Sequence, residues 1–308
     1  MTTNAIQSSH IYSTYFAPRG RSRIYTLGMQ IAQLYLSPFD QIIGFIGEAG
    51  SGKSVLIKGM FPGIELTNDD DGVNVRPLPL LEQEYETGFF TPHTYHLDIR
   101  FETGFHQLSE LADAVQLAVR RGKRIIIEHF DLIYPLLGVN ANLLIGVGEQ
   151  IVITRPNLFG PLPQELCDIV YPSLAYRLMA HSAEDLCEYA MTQEQMLACS
   201  HGDIRHGFVL EFNEHQPDID IPTLEARVNE LIRQDLPIDY YDESHILLGG
   251  VQHYCTGPRT HVRSTGRIIG FRLLDHFIYD HFHKTYMLVG CVGDDSEENI
   301  RKLETIHG

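Results

Sequence analysis

The amino-acid sequence predicts an α/β protein with two domains, residues 1–160 and residues 161–308. First, 308 residues exceed the usual size of one compact core. Second, apolar strand-like runs alternate with helix-like stretches in the first half, which is typical of a mainly parallel sheet covered by helices. Third, the segment Arg155–Glu165 (RPNLFGPLPQE) carries three prolines and a glycine, which indicates a linker.

Local patterns predict the elements of each domain. The first domain has short apolar runs predicted as strands at Gln41–Ile46, Ile64–Thr67, Tyr95–Phe101, Arg124–Glu128 and Gln150–Thr154. Apolar residues at helical spacing predict a helix over Leu108–Arg121 between them. The second domain is predicted as α+β, with a helix around Ser173–Cys199, a strand pair, a helix over Pro222–Gln234, a strand-rich part to about Val292 and an acidic terminal helix.

Charge and cysteine content limit the partners and the compartment. The chain has a net charge of -17, and residues 166–308 carry 11 Lys+Arg against 23 Asp+Glu. Such a surface repels phosphate backbones, so tRNA is a disfavoured partner. Five scattered cysteines in a chain of this length favour reduced thiols. With no apolar run long enough for a signal peptide or a membrane span, we expect a cytoplasmic protein that does not bind membranes.

The segment Gly47–Ser54 (GEAGSGKS) fits the phosphate-binding pattern G-x-x-x-x-G-K-[ST] at every position. Glycines let backbone N–H groups turn toward an anion, a lysine supplies a charge for the β- and γ-phosphates, and the last hydroxyl can ligate Mg²⁺. A strand-like run precedes the loop and a helix-like run follows it. The predicted nucleotide-binding residues are Gly47, Gly50, Ser51, Gly52, Lys53 and Ser54, with Lys53 also catalytic and Ser54 a Mg²⁺ ligand.

A nucleotide site of this kind needs a carboxylate at the end of a strand to hold the metal. Glu128 follows three isoleucines in RIIIEHFD and is the first choice, and Asp98 in YHLDIRF is the alternative. Asp69 and Asp70 lie in an acidic turn at a position where kinases of the uridine kinase type place an acid facing the acceptor hydroxyl. We therefore predict Lys53, Glu128, Asp69 and Asp70 as catalytic residues and ATP or GTP with Mg²⁺ as the nucleotide.

Three stretches of the second half resemble, in order, the editing region shared by threonyl- and alanyl-tRNA synthetases. The first, HSAEDL at His181–Leu186, resembles that family's H-[ST]-x-x-H-L helix. HGDIRHGFVLEF at His201–Phe212 is similar to the threonyl enzyme's G-P-x-I-x-x-G-F-Y-Y-D-F, and LEARVNELIRQDLPI at Leu224–Ile238 resembles its next helix. CTGPRTHVRSTGRIIGFRLL at Cys255–Leu274 resembles C-x-G-P-H-V-x-x-T-G-x-I-x-x-F-K-L.

The whole chain resembles a family of bacterial proteins described as containing the second additional domain of alanyl-tRNA synthetase. The resemblance implies a P-loop NTPase-type three-layer domain followed by an editing-like α+β domain. His181 and Asp185 lie four apart on the predicted helix, and Cys255 and His261 flank a Gly-Pro turn. These four residues form a possible Zn²⁺ site. Asp185 stands where the family has histidine, and Cys255 and His261 are two residues further apart than in the family.

Three functions are compatible with this sequence. The first is an ATP-dependent kinase or phosphotransferase that acts on a small hydroxyl-bearing or amino-acid-like ligand. The second is a free-standing editing hydrolase that clears mischarged tRNA of the alanine, serine or threonine type. The third is a nucleotide-dependent switch or binding protein, in which both sites act as sensors. We expect the first.

Overall fold

The computed structural model describes residues 12–66, 94–213 and 215–307. Tertiary contacts divide the chain into two compact units. Unit 1 comprises the residues up to Ala17 together with Arg21–Pro172, and unit 2 comprises Pro18–Gly20 together with Ser173–Gly308. The division therefore falls after residue 172, inside a long helix, and not at the predicted boundary at residue 160. A short N-terminal segment also belongs to unit 2.

A six-stranded, mainly parallel sheet forms the centre of unit 1 and confirms the mixed α/β class. Its strands in chain order are β1 (Ser13–Phe16), β2 (Ile42–Ile46), β3 (Thr94–Asp98), β4 (Arg124–Glu128), β5 (Leu143–Val147) and β6 (Gln150–Thr154). Their order across the sheet is β1-β6-β5-β2-β4-β3. Strands β3, β4, β2 and β5 are parallel, whereas β6 and β1 are antiparallel to their neighbours.

Helices cover both faces of this sheet. They are α1 (Arg21–Tyr35), α2 (Lys53–Met60), α3 (Ile99–Glu102), α4 (Leu108–Arg120), α5 (Phe130–Leu137) and the first part of α6 (Pro163–Ala190). Adjacent residues of β4 belong to different cores: Ile125 and Ile127 pack with α4, α5 and α6, and Ile126 packs with α1 and α2. Because side chains alternate along a strand, the unit has three layers, helix, sheet and helix.

Several boundaries differ from the predictions for local reasons. The strand predicted over Tyr95–Phe101 ends at Asp98, because the Asp98 carboxylate accepts a hydrogen bond from the Phe101 N–H and caps α3. Strand β6 occurs as predicted, but it is antiparallel to β5. Residues 64–66 of the predicted Ile64–Thr67 strand form no strand, and Thr67 lies outside the described residues.

Unit 2 is α+β. Its strands are β7 (Cys199–Ile204), β8 (Gly207–Asn213), β9 (Ile238–Asp242), β10 (His245–Leu248), β11 (Val251–Tyr254), β12 (Arg272–Leu273), β13 (Ile278–Asp280) and β14 (Thr285–Cys291). One antiparallel sheet has the order β12-β14-β8-β7, with β13 paired to β14, and the other has the order β11-β10-β9. The helices are the second part of α6, α7 (Gln193–Ala198), α8 (Ile221–Arg233) and α9 (Ser296–His307).

Both sheets of unit 2 share one core with the second part of α6 and with α8. On α6, Ala183, Leu186 and Cys187 are fully or almost fully buried, yet Glu184, Asp185 and Glu188 on the same turns are also buried. Buried carboxylates need partners, so this stretch of α6 indicates a polar site. Among the described residues, no helix is both long enough and apolar enough to cross a membrane.

Candidate functional site

The predicted phosphate loop connects the end of β2 to the start of α2. Its three glycines all have positive φ angles, 155° at Gly47, 79° at Gly50 and 94° at Gly52. At Gly47 a Cβ would also lie 2.5 Å from the carbonyl oxygen of Val147 on β5. Glycine is required here because other residues are strained in this backbone region. Ser51, between Gly50 and Gly52, is 1% exposed.

Lys53 is the first residue of α2, and its side chain folds back onto the loop. Its Nζ donates hydrogen bonds of 2.9 Å to the carbonyl oxygens of Gly47 and Glu48 and lies 3.7 Å from Oε2 of Glu128. The side chain is 5% exposed. Burial lowers the pKa of Lys53, while the carboxylates of Glu128 and Asp98 oppose that change. A buried ammonium group therefore lies against the loop.

Glu128 ends β4, the strand beside β2, and contacts the second half of the predicted motif. The Ser54 hydroxyl donates to Glu128 Oε1 at 3.1 Å, and His96 Nε2 lies 3.1 Å from the same oxygen. Burial raises the pKa of Glu128, but the hydrogen bond and charge of His96, the Lys53 charge and the Ser54 hydrogen bond together bring it down to about 2. Glu128 is thus an ionised carboxylate beside a hydroxyl and an ammonium group.

The sheet topology explains this convergence. Strand β2 pairs with β4 in parallel register, with Phe45 opposite Glu128, and β3 places Asp98 opposite Glu128. The carboxyl ends of the three strands therefore meet at one edge of the sheet, which is where ligands bind in open α/β sheets. The strand order reverses beside β2, since β3 and β4 lie on one side of it and β5 and β6 on the other.

Two further residues at this edge, His129 and Arg100, were not predicted as catalytic or nucleotide-binding. His129 has a left-handed backbone (φ 57°) at the start of α5, and burial, with the charges of Lys53 and Arg100, lowers its pKa to about 4. Asp98, Glu128 and His129 hold possible metal-ligand atoms within 4.8 Å of one another. Arg100 donates to Glu48 Oε2 at 3.0 Å. An αL histidine directly after a strand-ending glutamate has no simple sequence signal.

The other acidic residues of the prediction have different positions. Asp69 and Asp70 lie outside the described residues. Asp98, the alternative to Glu128, caps α3 by accepting a hydrogen bond from the Phe101 N–H. Glu128 accepts the hydrogen bond from the Ser54 hydroxyl. Glu128, the first choice, therefore contacts the predicted Mg²⁺ ligand Ser54 directly.

In unit 2 the structure brings together three of the four predicted Zn²⁺ ligands. Asp185, Cys255 and His261 hold ligand-type atoms within 4.8 Å of one another. His261 Nε2 lies 2.7 Å from Asp185 Oδ2 and 3.7 Å from Cys255 Sγ. His181 is outside this group: its Nε2 lies 3.9 Å from Oδ1 of Asp203, and its Nδ1 has no hydrogen-bond partner among the described residues.

Arg19 contacts two members of this cluster, Asp185 and Cys255. Its guanidinium is 2% exposed, forms ion pairs with Glu184 and Asp185, and lies 3.1 Å from Cys255 Sγ. Burial raises the pKa of Asp185, but Arg19 and His261 outweigh it and hold that pKa well below the usual range. Arg19 donates hydrogen bonds to two of the three side chains that would bind a metal, Asp185 and Cys255. With Arg19 in this position, the donor set of the predicted site does not fit Zn²⁺.

No protein-family model matches this chain, and a search of curated proteins found none with significant similarity to it.

Proposed function

We propose that unit 1 binds a nucleoside triphosphate with Mg²⁺ and transfers its terminal phosphoryl group to a small hydroxyl-bearing or amino-acid-like acceptor. The observation that supports this most directly is the contact of Ser54 Oγ with Glu128 Oε1, beside Lys53 Nζ, at the carboxyl edge of β2 and β4. A hydroxyl, a carboxylate and an ammonium group at one edge of a parallel sheet are suited to a metal–triphosphate complex.

The backbone of the Gly47–Ser54 loop would hold the phosphates. Positive φ angles at Gly50 and Gly52 set the direction of the loop's N–H groups, and α2 adds the positive end of its dipole. The Lys53 ammonium group is hydrogen-bonded to two carbonyl oxygens of the loop. Phosphate oxygens can replace these neutral acceptors, because they carry charge and bind an ammonium group more strongly.

Ser54 and Glu128 would hold Mg²⁺, which prefers hydroxyl, carboxylate and water oxygens. The low pKa of Glu128, about 2, keeps its carboxylate ionised near neutral pH. Mg²⁺ would neutralise charge on the transferring phosphate. The two oxygens lie 3.1 Å apart, close enough that both would be ligands of one ion.

The acceptor class rests on the resemblance of unit 2 to a synthetase editing region. That resemblance favours serine, threonine or alanine as the small molecule. The alternative of tRNA editing has less support. The Arg19 guanidinium contacts Asp185 and Cys255, two of the side chains that would bind a water-activating metal at that site. A nucleotide-dependent switch would need the same phosphate site, and turnover with an acceptor distinguishes it from a phosphotransferase.

Calorimetry of magnesium nucleotides tests the binding step. We expect ATP or GTP to bind the parent protein and Lys53→Ala to bind at least about tenfold more weakly, since a charged hydrogen bond contributes about 1.5–3 kcal/mol. Lys302→Ala is the matched control, because Lys302 is 62% exposed on α9. If the parent protein produced no heat with either nucleotide, the phosphate-site assignment would be wrong.

The metal role is tested by repeating the titration with and without Mg²⁺ on Glu128→Gln. We expect Mg²⁺ to strengthen nucleotide binding in the parent and to have little effect in the variant, which keeps the shape of the side chain but loses its charge. Equal Mg²⁺ dependence in both proteins would remove Glu128 from the metal site.

The transfer step is tested by following ADP or GDP release with serine, threonine and alanine as added acceptors. Acceptor-dependent release that disappears in Lys53→Ala supports the phosphotransferase. Nucleotide binding without release dependent on any of these acceptors would count against transfer to them and favour the switch.

A further inference from the structure

Unit 2 contains a second group of metal-ligand side chains that the sequence patterns did not indicate. Glu188, Cys199 and His201 hold possible ligand atoms within 4.8 Å of one another. Glu188 lies on α6, nearly one turn after Asp185, whereas Cys199 and His201 lie on β7. Because residues two apart on a strand point to the same face, β7 presents both side chains to Glu188.

The three side chains converge on one point. His201 Nε2 is hydrogen-bonded to Glu188 Oε1, and Cys199 Sγ lies 3.9 Å from the same oxygen. Glu188 is buried, while the His201 side chain is 19% exposed. A solute can therefore reach the group from the side of His201. Helix α6 holds Glu188 in position, and strand β7 holds Cys199 and His201. One imidazole, one thiol and one carboxylate are the donor types found in three-ligand Zn²⁺ sites.

A second observation concerns a buried histidine that shares Glu188 with this group. His253 on β11 is 8% exposed, and its Nε2 has no hydrogen-bond partner among the described residues. Asp185, Glu188 and His253 also hold ligand-type atoms within 4.8 Å of one another, so Glu188 is shared by two groups. A buried ring nitrogen without a partner costs free energy unless something binds it, and a metal on Glu188 would place a cation nearby.

The position of Arg19 separates this group from the predicted Zn²⁺ site. Arg19 contacts Glu184, Asp185 and Cys255. Glu188 pairs with His201 instead. A metal bound to Glu188, Cys199 and His201 therefore does not have to displace the guanidinium, whereas a metal bound to Asp185, Cys255 and His261 does.

We propose that Glu188, Cys199 and His201 form a binding site for a divalent transition metal, with Zn²⁺ as the ion that best suits one sulfur, one nitrogen and one oxygen donor. Metal binding replaces the Glu188–His201 hydrogen bond and the hydrogen bond of 3.2 Å that the Cys199 thiol donates to the Met196 carbonyl oxygen. The thiol proton of Cys199 is released to solvent. Three protein ligands leave a fourth position for water or a small ligand. This site is independent of the nucleotide site proposed for unit 1.

The test is a titration of the full chain, first freed of metal with a chelator, with Zn²⁺ and with Co²⁺. Zn²⁺ is measured by elemental analysis after gel filtration, and Co²⁺ by the absorption of the thiolate–cobalt bond. We expect about one ion per chain in the parent, no thiolate–cobalt absorption in Cys199→Ser, and affinity at least about tenfold lower in His201→Gln. Circular dichroism shows whether each variant is folded.

Cys255→Ser and His261→Gln are the matched controls, since they make the same changes in the predicted site. We expect both to keep the ion and the absorption of the parent. The proposal is overturned if the parent binds neither ion at about 100 µM, a concentration well above the dissociation constants of protein Zn²⁺ sites. It is also overturned if Cys199→Ser keeps the thiolate–cobalt absorption. A third contrary result is loss of the metal in the Cys255 and His261 variants alone.

Discussion

At the scale of single residues, the two units differ in what their buried charged side chains contact. In unit 1 the buried charges of Lys53 and Glu128 lie 3.7 Å apart beside a loop suited to an anion. In unit 2 the buried Arg19 guanidinium pairs directly with Glu184 and Asp185. Burial raises the pKa of Glu184 to about 7, although the charge of Arg19 opposes this change. Buried ion pairs contribute little net stability, but removing one partner leaves an uncompensated charge. The Arg19 cluster is therefore sensitive to substitution of its cation.

Replacing Arg19 by leucine should destabilise the protein by about 3–5 kcal/mol, because two buried carboxylates lose their counter-charge. Denaturant unfolding measures this difference. Arg259→Leu is the control: Arg259 forms an exposed ion pair with Glu243 at 3.4 Å and should cost less than about 1 kcal/mol. A loss of stability in Arg19→Leu no larger than in the control would contradict the importance of this pairing.

Glu102, at the end of α3, carries a pH dependence of stability. It is 4% exposed, and burial together with the charge of Asp98 raises its pKa to about 7. The pKa of this carboxyl group is higher in the folded state than in the unfolded state, where it is about 4.3. The group therefore contributes its full stabilisation below about pH 4.3, and this contribution is lost as the pH rises through about 7.

Glu102→Gln should therefore change stability in a pH-dependent way. Glutamine carries no charge at any pH, so the melting temperature of the variant relative to the parent should rise between about pH 5 and about pH 8. Glu304→Gln, which changes an exposed residue of α9, is the control and should show no such trend. A difference that stays constant across this range would mean that the folded state does not raise the pKa of Glu102.

At the scale of elements, the contact between α1 and α2 fixes the helix that follows the predicted phosphate loop. The two helices approach closely: a Cβ on Gly59 would lie 2.2 Å from the Tyr25 carbonyl oxygen, and one on Gly28 would lie 2.5 Å from that of Leu56. Helix α2 starts at Lys53, so its position determines the position of the loop. Glycine at both contact points lets the backbones touch.

Gly59→Ala should push the two helices apart and cost about 3 kcal/mol, since overpacking against backbone leaves no side chain to move. Gly122→Ala is a matched control, because Gly122 has φ 76° and open space around its Cα, so only backbone strain of about 1 kcal/mol is added. Thermal unfolding compares the variants. Equal losses in both would mean that the close helix contact is not important for stability.

At the scale of the whole molecule, the net charge bears on the proposed partners. The net charge of -17 opposes phosphate backbones, and buried basic groups such as Arg19 and Lys53 are already engaged by carboxylates or carbonyls. A mononucleotide can enter a local site against this field, but a long polyanion meets the whole surface. The charge thus opposes binding of a nucleic acid more strongly than binding of the nucleotide proposed for unit 1.

We expect labelled tRNA to bind more weakly than about 100 µM at physiological salt, the weak end of nonspecific binding. Fluorescence anisotropy measures this, with the magnesium nucleotide as the positive control. Micromolar, saturable binding of tRNA, or release of an amino acid from mischarged tRNA that is lost in His181→Ala, would overturn this expectation and support the editing hydrolase.

Local sequence patterns predicted the positions of several strands and helices of unit 1, because the formation of these elements depends on residues that are neighbours in the chain. The isoleucine run of β4 and the helical spacing of α4 were located to within about one residue. Strand β5 and helix α1 were missed. Helix α1 buries only a narrow stripe of Ile24, Gly28 and Ile31, and a glycine in such a stripe weakens the apolar pattern.

The glycine-rich turn after β2 and the mixed α/β class follow from the amino-acid order alone. Glycines and apolar runs act through residues that are close in the chain. Which groups meet in unit 2 depends on the folded chain. Arg19 reaches Glu184, Asp185 and Cys255 across 165, 166 and 236 residues. Contacts over such separations depend on how α6, β11 and the N-terminal segment pack, and no local sequence pattern predicts that packing.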